Sequence, residues 1–117
     1  MTKEVNPLSK YGNKKTVVDG IAFDSQKEAN RYCELKLLWR GHEIDNLKRQ
    51  VKYELVPALR QNGKTIQRAI NYYADFVYTD CRTGEEIVED VKGYKTEVYR
   101  MKKKMMLDKY GITIREV

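Results

Sequence analysis

The sequence predicts a single domain of the α/β or α+β class, in which helices pack against one sheet. Two whole-chain properties point this way, since 117 residues suit one modest core and 41% hydrophobic residues are enough to fill it. The third observation is periodicity. Segments with the two-residue period of strands alternate along the chain with segments of helical period. The resulting order is hairpin, helix, three strands, helix, strand.

The first elements are a hairpin and a helix. Asp19-Gly20 between the apolar residues of 16–23 predicts a tight hairpin. Ser25 is a suitable N-cap, so the helix is expected from about Gln26 to Arg40, with its end near Gly41. One stripe at helical spacing contains Glu28, Tyr32, Leu35 and Trp39. An acidic residue therefore begins a mostly apolar helix face.

Three strands are predicted next. Residues 47–57 alternate between apolar and polar side chains, which is typical of a strand, and residues 58–65 are expected to form a loop around Asn62-Gly63. The second strand is expected from about Ile66 to Thr79, and the third, after a polar turn, from about Glu85 to Lys92. The second strand is expected to have one apolar face of Ile70, Tyr72, Ala74, Phe76 and Tyr78.

A helix and a strand complete the predicted fold. Lys95-Thr96 begins the second helix, which is expected to continue to about Lys109 and to end at Gly111. Residues 112–117 are expected to form the last strand. The apolar side of this helix is predicted to be Val98, Met101, Met105 and Leu107.

Two carboxylates and a lysine are predicted to share one face of the sheet. If the turn is centred between residues 82 and 83, Asp75 lies opposite Asp90 in an antiparallel hairpin. Lys92 is two residues beyond Asp90 and shares its face. Because two opposed like charges destabilise a sheet, the pair indicates a cation between them. A hard divalent ion such as Mg2+, or Mn2+ in its place, suits such ligands.

The charge of the chain favours a polyanionic partner. Lys and Arg number 23 against 17 Asp and Glu, a net charge of +6. The positive residues are concentrated in a basic N-terminal arm, residues 1–15, and in residues 95–109 of the domain that follows, residues 16–117. This bias favours nucleic acid first and an anionic membrane second.

The cysteines and the hydropathy pattern favour a cytoplasmic protein. Cys33 and Cys81 fit neither a zinc spacing nor a disulfide framework. Residues 1–15 lack the apolar segment of a secretory signal, and no apolar run approaches the ~20 residues that span a bilayer. We therefore expect a reduced protein that is not in a membrane.

Four motifs resemble a known superfamily. They are Ser9-Lys10-Tyr11-Gly12-Asn13-Lys14-Lys15, Phe23-Asp24-Ser25 with Glu28-Ala29, Tyr72-Tyr73-Ala74-Asp75-Phe76, and Glu89-Asp90-Val91-Lys92-Gly93. Together with the element order they resemble the PD-(D/E)xK nuclease superfamily of restriction endonucleases, archaeal-type Holliday junction resolvases and RecB-like nucleases, and within it a small family of phage and prophage proteins. One departure is Ala74, where the superfamily pattern has proline.

The resemblance implies a fold and a set of roles. The fold is a restriction-endonuclease-like αβββαβ core with a mixed sheet flanked by helices, here preceded by a small hairpin. Asp75 and Asp90 are the implied metal ligands, joined by the carbonyl of Val91, and Lys92 is the catalytic lysine. Glu28 takes the helical acid position, as a further metal ligand or as the group that orients a metal-bound water.

The implied activity is Mg2+-dependent hydrolysis of DNA by an endonuclease. A structure-selective enzyme similar to a Holliday junction resolvase is expected, acting as a homodimer in phage recombination or replication inside a bacterial cell. The residues expected to contact DNA are Lys10, Lys14, Lys15, Arg68, Lys95, Lys102, Lys103 and Lys104. Such contacts make binding salt-dependent.

Several alternatives remain open. Glu28 also completes a capping box with Ser25, Asp90 and Lys92 fit a plain cross-strand charge pattern, and residues 102–104 fit a solvated helix face. Gln50 either contacts DNA or faces solvent. The alternatives for the whole protein are a nicking or site-specific endonuclease, a non-catalytic DNA-binding protein on the same scaffold, and a regulatory protein that binds another protein through its basic helix.

Overall fold

The computed structural model describes residues 15–92 and 94–117. It has the mixed α+β architecture that the periodicity predicts. Its elements in chain order are β1 Thr16–Val18, β2 Ile21–Phe23, α1 Gln26–Arg40, β3 Ile44–Val56, β4 Leu59–Gln61, β5 Lys64–Gln67, β6 Ile70–Asp80, β7 Glu86–Asp90, α2 Glu97–Tyr110 and β8 Arg115–Glu116. Most of the predicted basic arm, with Lys10 and Lys14, lies outside the described residues.

A mixed four-stranded sheet with the order β3-β6-β7-β8 forms the centre of the fold. β3, β6 and β7 are antiparallel neighbours, whereas β8 pairs with β7 in parallel. A parallel pair needs a crossover connection, and α2 provides it. The predicted front hairpin is confirmed as the separate pair β1–β2.

The two helices cover opposite faces of this sheet. Val77 belongs to a core cluster with Tyr99 and Met106 of α2. Its strand neighbour Phe76 belongs to a second cluster with residues of α1, among them Leu35. Because successive strand residues point to opposite faces, the two clusters lie on the two sides of the sheet.

The predicted loop at residues 58–65 is wrong, as is the predicted start of the following strand. Residues 59–67 form the β4–β5 hairpin, and β6 begins only at Ile70. The turn residues Asn62 and Gly63 both have positive φ, 54° and 77°, which suits the tight two-residue turn of a hairpin. Their strands pair with each other and form a sheet separate from the central one.

The single apolar face predicted for β6 is also wrong. Tyr72 and Ala74 pack in the cluster on the α2 side, whereas Phe76 and Tyr78 pack on the α1 side. The β3–β6 register pairs residues 49 and 76 and residues 51 and 74, so Gln50 comes opposite Asp75. Gln50 has a φ of 50°, a left-handed conformation that interrupts the pleat. The face of the strand therefore changes at Asp75.

The helices end where their cap residues predict, but the buried faces of the helices differ from the predicted ones. α1 spans the predicted residues, and Gly111, with a φ of 68°, ends α2. In α2, however, Tyr99 and Met106 face the core, while Val98, Met101 and Leu107 are exposed. Of the predicted apolar side only Met105 packs against the core, because Tyr99 and Met106 at other positions fill the remaining space.

Trp39 does not continue the buried stripe of α1. Tyr32 and Leu35 are buried as predicted, but Trp39 is 38% exposed near the helix end. Its Nε1–H donates to Oδ1 of Asp45 at 3.2 Å. Within residues 15–92 and 94–117, no helix is long and apolar enough to cross a membrane.

Candidate active site

The β6–β7 hairpin brings the two predicted carboxylates together. Phe76 pairs with Glu89 and Tyr78 with Ile87, which is the register that a turn centred between residues 82 and 83 predicts. One step beyond this ladder, the N–H of Val91 donates to Oδ2 of Asp75 at 2.8 Å. The segment that contains Asp90 is thus tied directly to the Asp75 carboxylate.

Asp90 is a buried carboxylate with two specific partners. Its side chain is 3% exposed, its Oδ2 accepts a hydrogen bond from the Tyr72 hydroxyl, and Nζ of Lys92 lies 3.2 Å from its Oδ1. Among the described residues, Oδ1 accepts no hydrogen bond of good geometry, so the lysine contact is an ion pair. This leaves an acceptor oxygen with spare capacity inside the protein.

Strand β8 fixes the backbone around Asp90. The N–H of Val117 donates to the Asp90 carbonyl at 3.0 Å, and the N–H of Lys92 donates to the Val117 carbonyl at 3.3 Å. Nζ of Lys27 on α1 adds a hydrogen bond to the Lys92 carbonyl at 2.9 Å. The segment from 90 to 92 is therefore held from both sides after β7 ends.

Asp75 has an environment that disfavours its charged form. The pKa of Asp75 is raised to about 7, mainly by burial; the Val91 N–H opposes the rise, and the carboxylates of Asp90 and Glu28 contribute to it. Gln50 donates from Nε2 to Oδ1 at 3.1 Å. A positive charge placed at this carboxylate would relieve both the desolvation and the repulsion.

Glu28 lies one side chain away from Asp75. The Gln50 amide also donates to Oε2 of Glu28, at 3.3 Å, and so connects the two carboxylates. Burial raises the pKa of Glu28, and the nearby Arg49 opposes this. The Glu28 N–H donates to the N-cap Ser25 hydroxyl at 3.1 Å. The residue thus occupies the first turn of α1 and also faces the site.

Lys92 is held between an anion and an aromatic ring. Besides the Asp90 ion pair, its Nζ lies 4.4 Å from the centroid of the Tyr99 ring, which is cation–π distance. Its side chain remains 27% exposed, so the ammonium reaches solvent. Lys92 therefore combines a fixed position with access to a bound ligand.

An open cleft of about 270 Å³ runs over these groups. Asp75, Asp90 and Lys92 contribute to its wall, as do Lys102 from α2 and the half-exposed Tyr73. The cleft presents acidic groups beside lysines, which suits a metal-bound phosphate.

The carboxylates of Asp75 and Asp90 offer oxygen ligands of the kind that a hard divalent ion prefers. Within the described parts of the chain, no group of three or more His, Cys, Asp or Glu side chains is arranged to hold a metal. Two carboxylates are enough for an ion that keeps much of its water shell. Mg2+ is such an ion, since it often binds one or two carboxylates and completes its shell with water and substrate phosphate.

The predicted DNA-contact residues lie in different places. Lys102 lines the cleft, and Lys15, Arg68 and Lys104 are exposed. Lys95 and Lys103 instead pair with Glu116, at 2.9 Å and 3.1 Å. Hydrogen bonds from Lys95, Tyr99 and Lys103 lower the pKa of Glu116 to about 2.

Sequence reasoning missed the residues that support the site. The alternation of β6 predicts Tyr72 only as a core residue, and the sequence does not decide whether Gln50 contacts DNA or faces solvent. Glu89, the residue before Asp90, is fully buried, and no local pattern predicts its partners. Arg31 donates to it from Nε at 2.9 Å and from Nη2 at 2.6 Å, and Tyr78 donates its hydroxyl. This buried pair ties α1 to β7.

The chain belongs to the family described as Protein of unknown function (DUF1064), whose model matches residues 8–115. The match includes Glu28, Asp75, Asp90 and Lys92. No curated protein matches the chain. No solved structure matches it either.

Proposed function

We propose that this member of the DUF1064 family is a metal-dependent DNA endonuclease that hydrolyses phosphodiester bonds. The observation that carries the proposal is the pair of carboxylates on neighbouring strands, the partly buried Asp75 and the buried Asp90, with Lys92 beside them in an open cleft. Such a pair is costly without a cation. A structural role alone gives no reason for its burial beside a solvent-accessible lysine.

The element order supports a restriction-endonuclease-like core. Without β1–β2 and the β4–β5 hairpin, the chain runs α1, β3, β6, β7, α2, β8, which is the αβββαβ order of the PD-(D/E)xK superfamily. In this interpretation β4–β5 is an insertion between the first two strands of the core. The mixed sheet with helices on both faces supports the same assignment.

The metal ligands in this proposal are Asp75, Asp90 and the carbonyl of Val91. Mg2+, or Mn2+ in its place, would supply a Lewis acid for the phosphate and a bound water of lowered pKa. Gln50 orients the Asp75 carboxylate, and Tyr72 orients that of Asp90. Since Glu28 reaches Asp75 only through the Gln50 amide, we assign it a positioning role rather than a direct one.

Lys92 is the proposed catalytic cation. Its Nζ lies at the Asp90 carboxylate and opens to the cleft, so it can contact a non-bridging phosphoryl oxygen. Negative charge on those oxygens grows in the transition state, and one preorganised donor at such a position contributes roughly 10²–10³ in rate. Lys102 contacts the neighbouring backbone phosphate from the α2 side.

Within this class we propose branched DNA, such as a four-way junction, as the substrate. Resolving a junction requires incision of two strands, so the proposed active form is a homodimer with two sites. The proposed setting is phage or prophage recombination or replication in the bacterial cytoplasm. The nearest enzymatic alternative is a nicking or site-specific endonuclease.

A cleavage assay on several DNA forms tests this proposal. Linear duplex, single strand, flap and four-way junction are incubated with Mg2+ or Mn2+ and with wild type, Asp75→Ala or Lys92→Ala. Lys36→Ala is the matched control, because Lys36 lies about two turns beyond Glu28 on α1 and does not line the cleft. We expect wild type and the control to cleave the junction, and both site variants to lose activity.

Other outcomes of this assay would support one of the alternative functions. Incision of one strand in linear duplex indicates a nicking enzyme. Tight DNA binding with no cleavage of any form, with either metal, refutes the nuclease and favours a non-catalytic DNA-binding protein. Equal cleavage by wild type and Lys92→Ala removes the assigned role of the lysine.

A further inference from the structure

The β4–β5 hairpin is an exposed ribbon that the central sheet does not use. Every residue from Leu59 to Arg68 is exposed, including the apolar Leu59 and Ile66, at 53% each. β3 and β6 pair as far as Val56 and Ile70, so the hairpin leaves from the end of their ladder. Among residues 15–92 and 94–117 the ribbon has no packing partner, so it contributes little to the core and is available to bind a ligand.

The charge of this ribbon has one sign. Between Leu55 and Ile70 the chain has three cations, Arg60, Lys64 and Arg68, and no Asp or Glu. Acidic residues are frequent elsewhere, with 17 in the whole chain. A positive, acid-free segment is complementary to a polyanion, and the phosphate backbone of DNA is the polyanion that the proposed function supplies.

The hairpin register places the cations on both faces of the ribbon. Arg60 pairs with Thr65, and the adjacent pair is Gln61 with Lys64. Adjacent cross-strand pairs point to opposite faces, so Arg60 and Lys64 project in opposite directions. A ribbon inside a groove of duplex DNA has a phosphate strand on each side, and this arrangement offers one cation to each.

The dimensions also fit a groove. Four residues of β5 extend ~13 Å, which exceeds the ~8.5 Å depth of the major groove, and that groove admits a two-stranded ribbon. Asp75 is five residues from Ile70 along β6, or ~17 Å in an extended strand. The ribbon therefore meets the duplex about half a helical turn from the site, since one turn measures about 34 Å.

We propose that the β4–β5 hairpin enters the major groove of duplex DNA next to the cleft, with Arg60 and Lys64 on its two phosphate strands. This inference deepens the proposed function and rests on it, because it takes DNA as the polymer in the cleft. Through this contact the duplex arm would be oriented so that one backbone phosphate reaches Lys92.

Salt-dependent binding of the full chain tests the ribbon. The affinity for a duplex of about three helical turns, ~30 base pairs, is measured by fluorescence anisotropy without divalent metal, between about 50 and 200 mM salt. The test variant is Arg60→Ala/Lys64→Ala. The matched control, Arg40→Ala/Arg82→Ala, removes two exposed cations from the end of α1 and from the β6–β7 turn. Equal melting temperatures verify that both variants fold.

We expect the hairpin variant to bind duplex more weakly than wild type. The slope of its log affinity against log salt should be smaller in magnitude by about 2, because two phosphate contacts are lost. The control keeps the wild-type slope. A single strand of the same length has no groove, so we expect the hairpin variant to bind it nearly as wild type does. An unchanged duplex slope, or equal losses on duplex and single strand, overturns the inference.

The same preparations are assayed with Mg2+ for cleavage of the four-way junction and of the other DNA forms, which separates the two proposals. Cleavage together with an unchanged duplex slope overturns the ribbon and leaves the nuclease. The expected slope change without cleavage supports the ribbon and refutes the nuclease. Absence of any DNA binding overturns both.

Discussion

Replacing Asp75 by Asn is expected to stabilise the metal-free protein at neutral and alkaline pH. Burial and the carboxylates of Asp90 and Glu28 disfavour the Asp75 anion, so its pKa rises from 3.8 to about 7. At a pH between these two pKa values, the protein therefore takes up a proton when it folds. The stability of wild type therefore falls as pH rises from about 3.8 to about 7, because ionisation of Asp75 opposes folding. Asn has nearly the same shape and cannot ionise.

The size of the effect follows from the same two pKa values. At about 1.4 kcal/mol per pKa unit, the difference corresponds to about 4 kcal/mol. Solvent reaches part of the carboxylate and screens it, which reduces this to roughly 2 kcal/mol. Asn retains an acceptor for the Val91 N–H but loses part of the Gln50 contact, worth about 1 kcal/mol. The net gain expected at pH 8 is thus on the order of 1–2 kcal/mol.

Urea unfolding of wild type and Asp75→Asn, with EDTA, measures this difference. We expect Asp75→Asn to be more stable at pH 8 and the gain to vanish below about pH 4, where wild type Asp75 is protonated in both states. Added Mg2+ should stabilise wild type at pH 8 and have a smaller effect on the variant. If Asp75→Asn is less stable than wild type at pH 8, the claim that burial and repulsion disfavour the Asp75 anion is refuted.

Three further variants test separate parts of the structure. Arg31→Ala leaves the Glu89 carboxylate buried without its charged partner, so we expect a loss of about 3–5 kcal/mol in urea unfolding, and a loss under 1 kcal/mol would contradict this. Tyr72→Phe removes the donor to Asp90 while keeping the ring, and it should cost about 1–2 kcal/mol and slow cleavage; wild-type values for both would argue against the contact. Glu116→Gln tests the coupling between the Glu116 ion pairs and pH. Because the pKa of Glu116 is lowered to about 2 from its ordinary value of 4.5, its ion pairs stabilise the fold fully only above pH 4.5. The stability advantage of wild type should therefore shrink when unfolding is measured from pH 7 down towards pH 2. An advantage that stays constant over this range would contradict the linkage.

Local signals predicted much of the fold. Ser25 and Gly41 bound α1 correctly because cap residues act on their own helix. The β6–β7 register followed from the turn, since hairpin pairing depends on few residues. The same register predicts that Asp75 and Asp90 lie together.

Long-range competition explains what could not be predicted. The change of face at Asp75 depends on the left-handed φ of Gln50, a residue on a different strand. In α2, the core accepted Tyr99 and Met106 instead of the equally apolar Val98 and Met101. Which stripe of a helix is buried depends on the sheet beneath it. The Arg31–Glu89 pair joins residues far apart in sequence, which no local pattern indicates.

Single-turnover cleavage of a four-way junction over a series of Mg2+ concentrations tests the central claim most directly. Wild type is compared with Asp90→Asn, which keeps the Tyr72 contact but removes the charge that would hold the metal. We predict metal-dependent cleavage by wild type, abolished by EDTA, and at least a 100-fold slower reaction for the variant, in line with roughly 10²–10³ for one lost charge-stabilising group. Cleavage that needs no divalent metal, or that is equally fast in Asp90→Asn, would contradict the account.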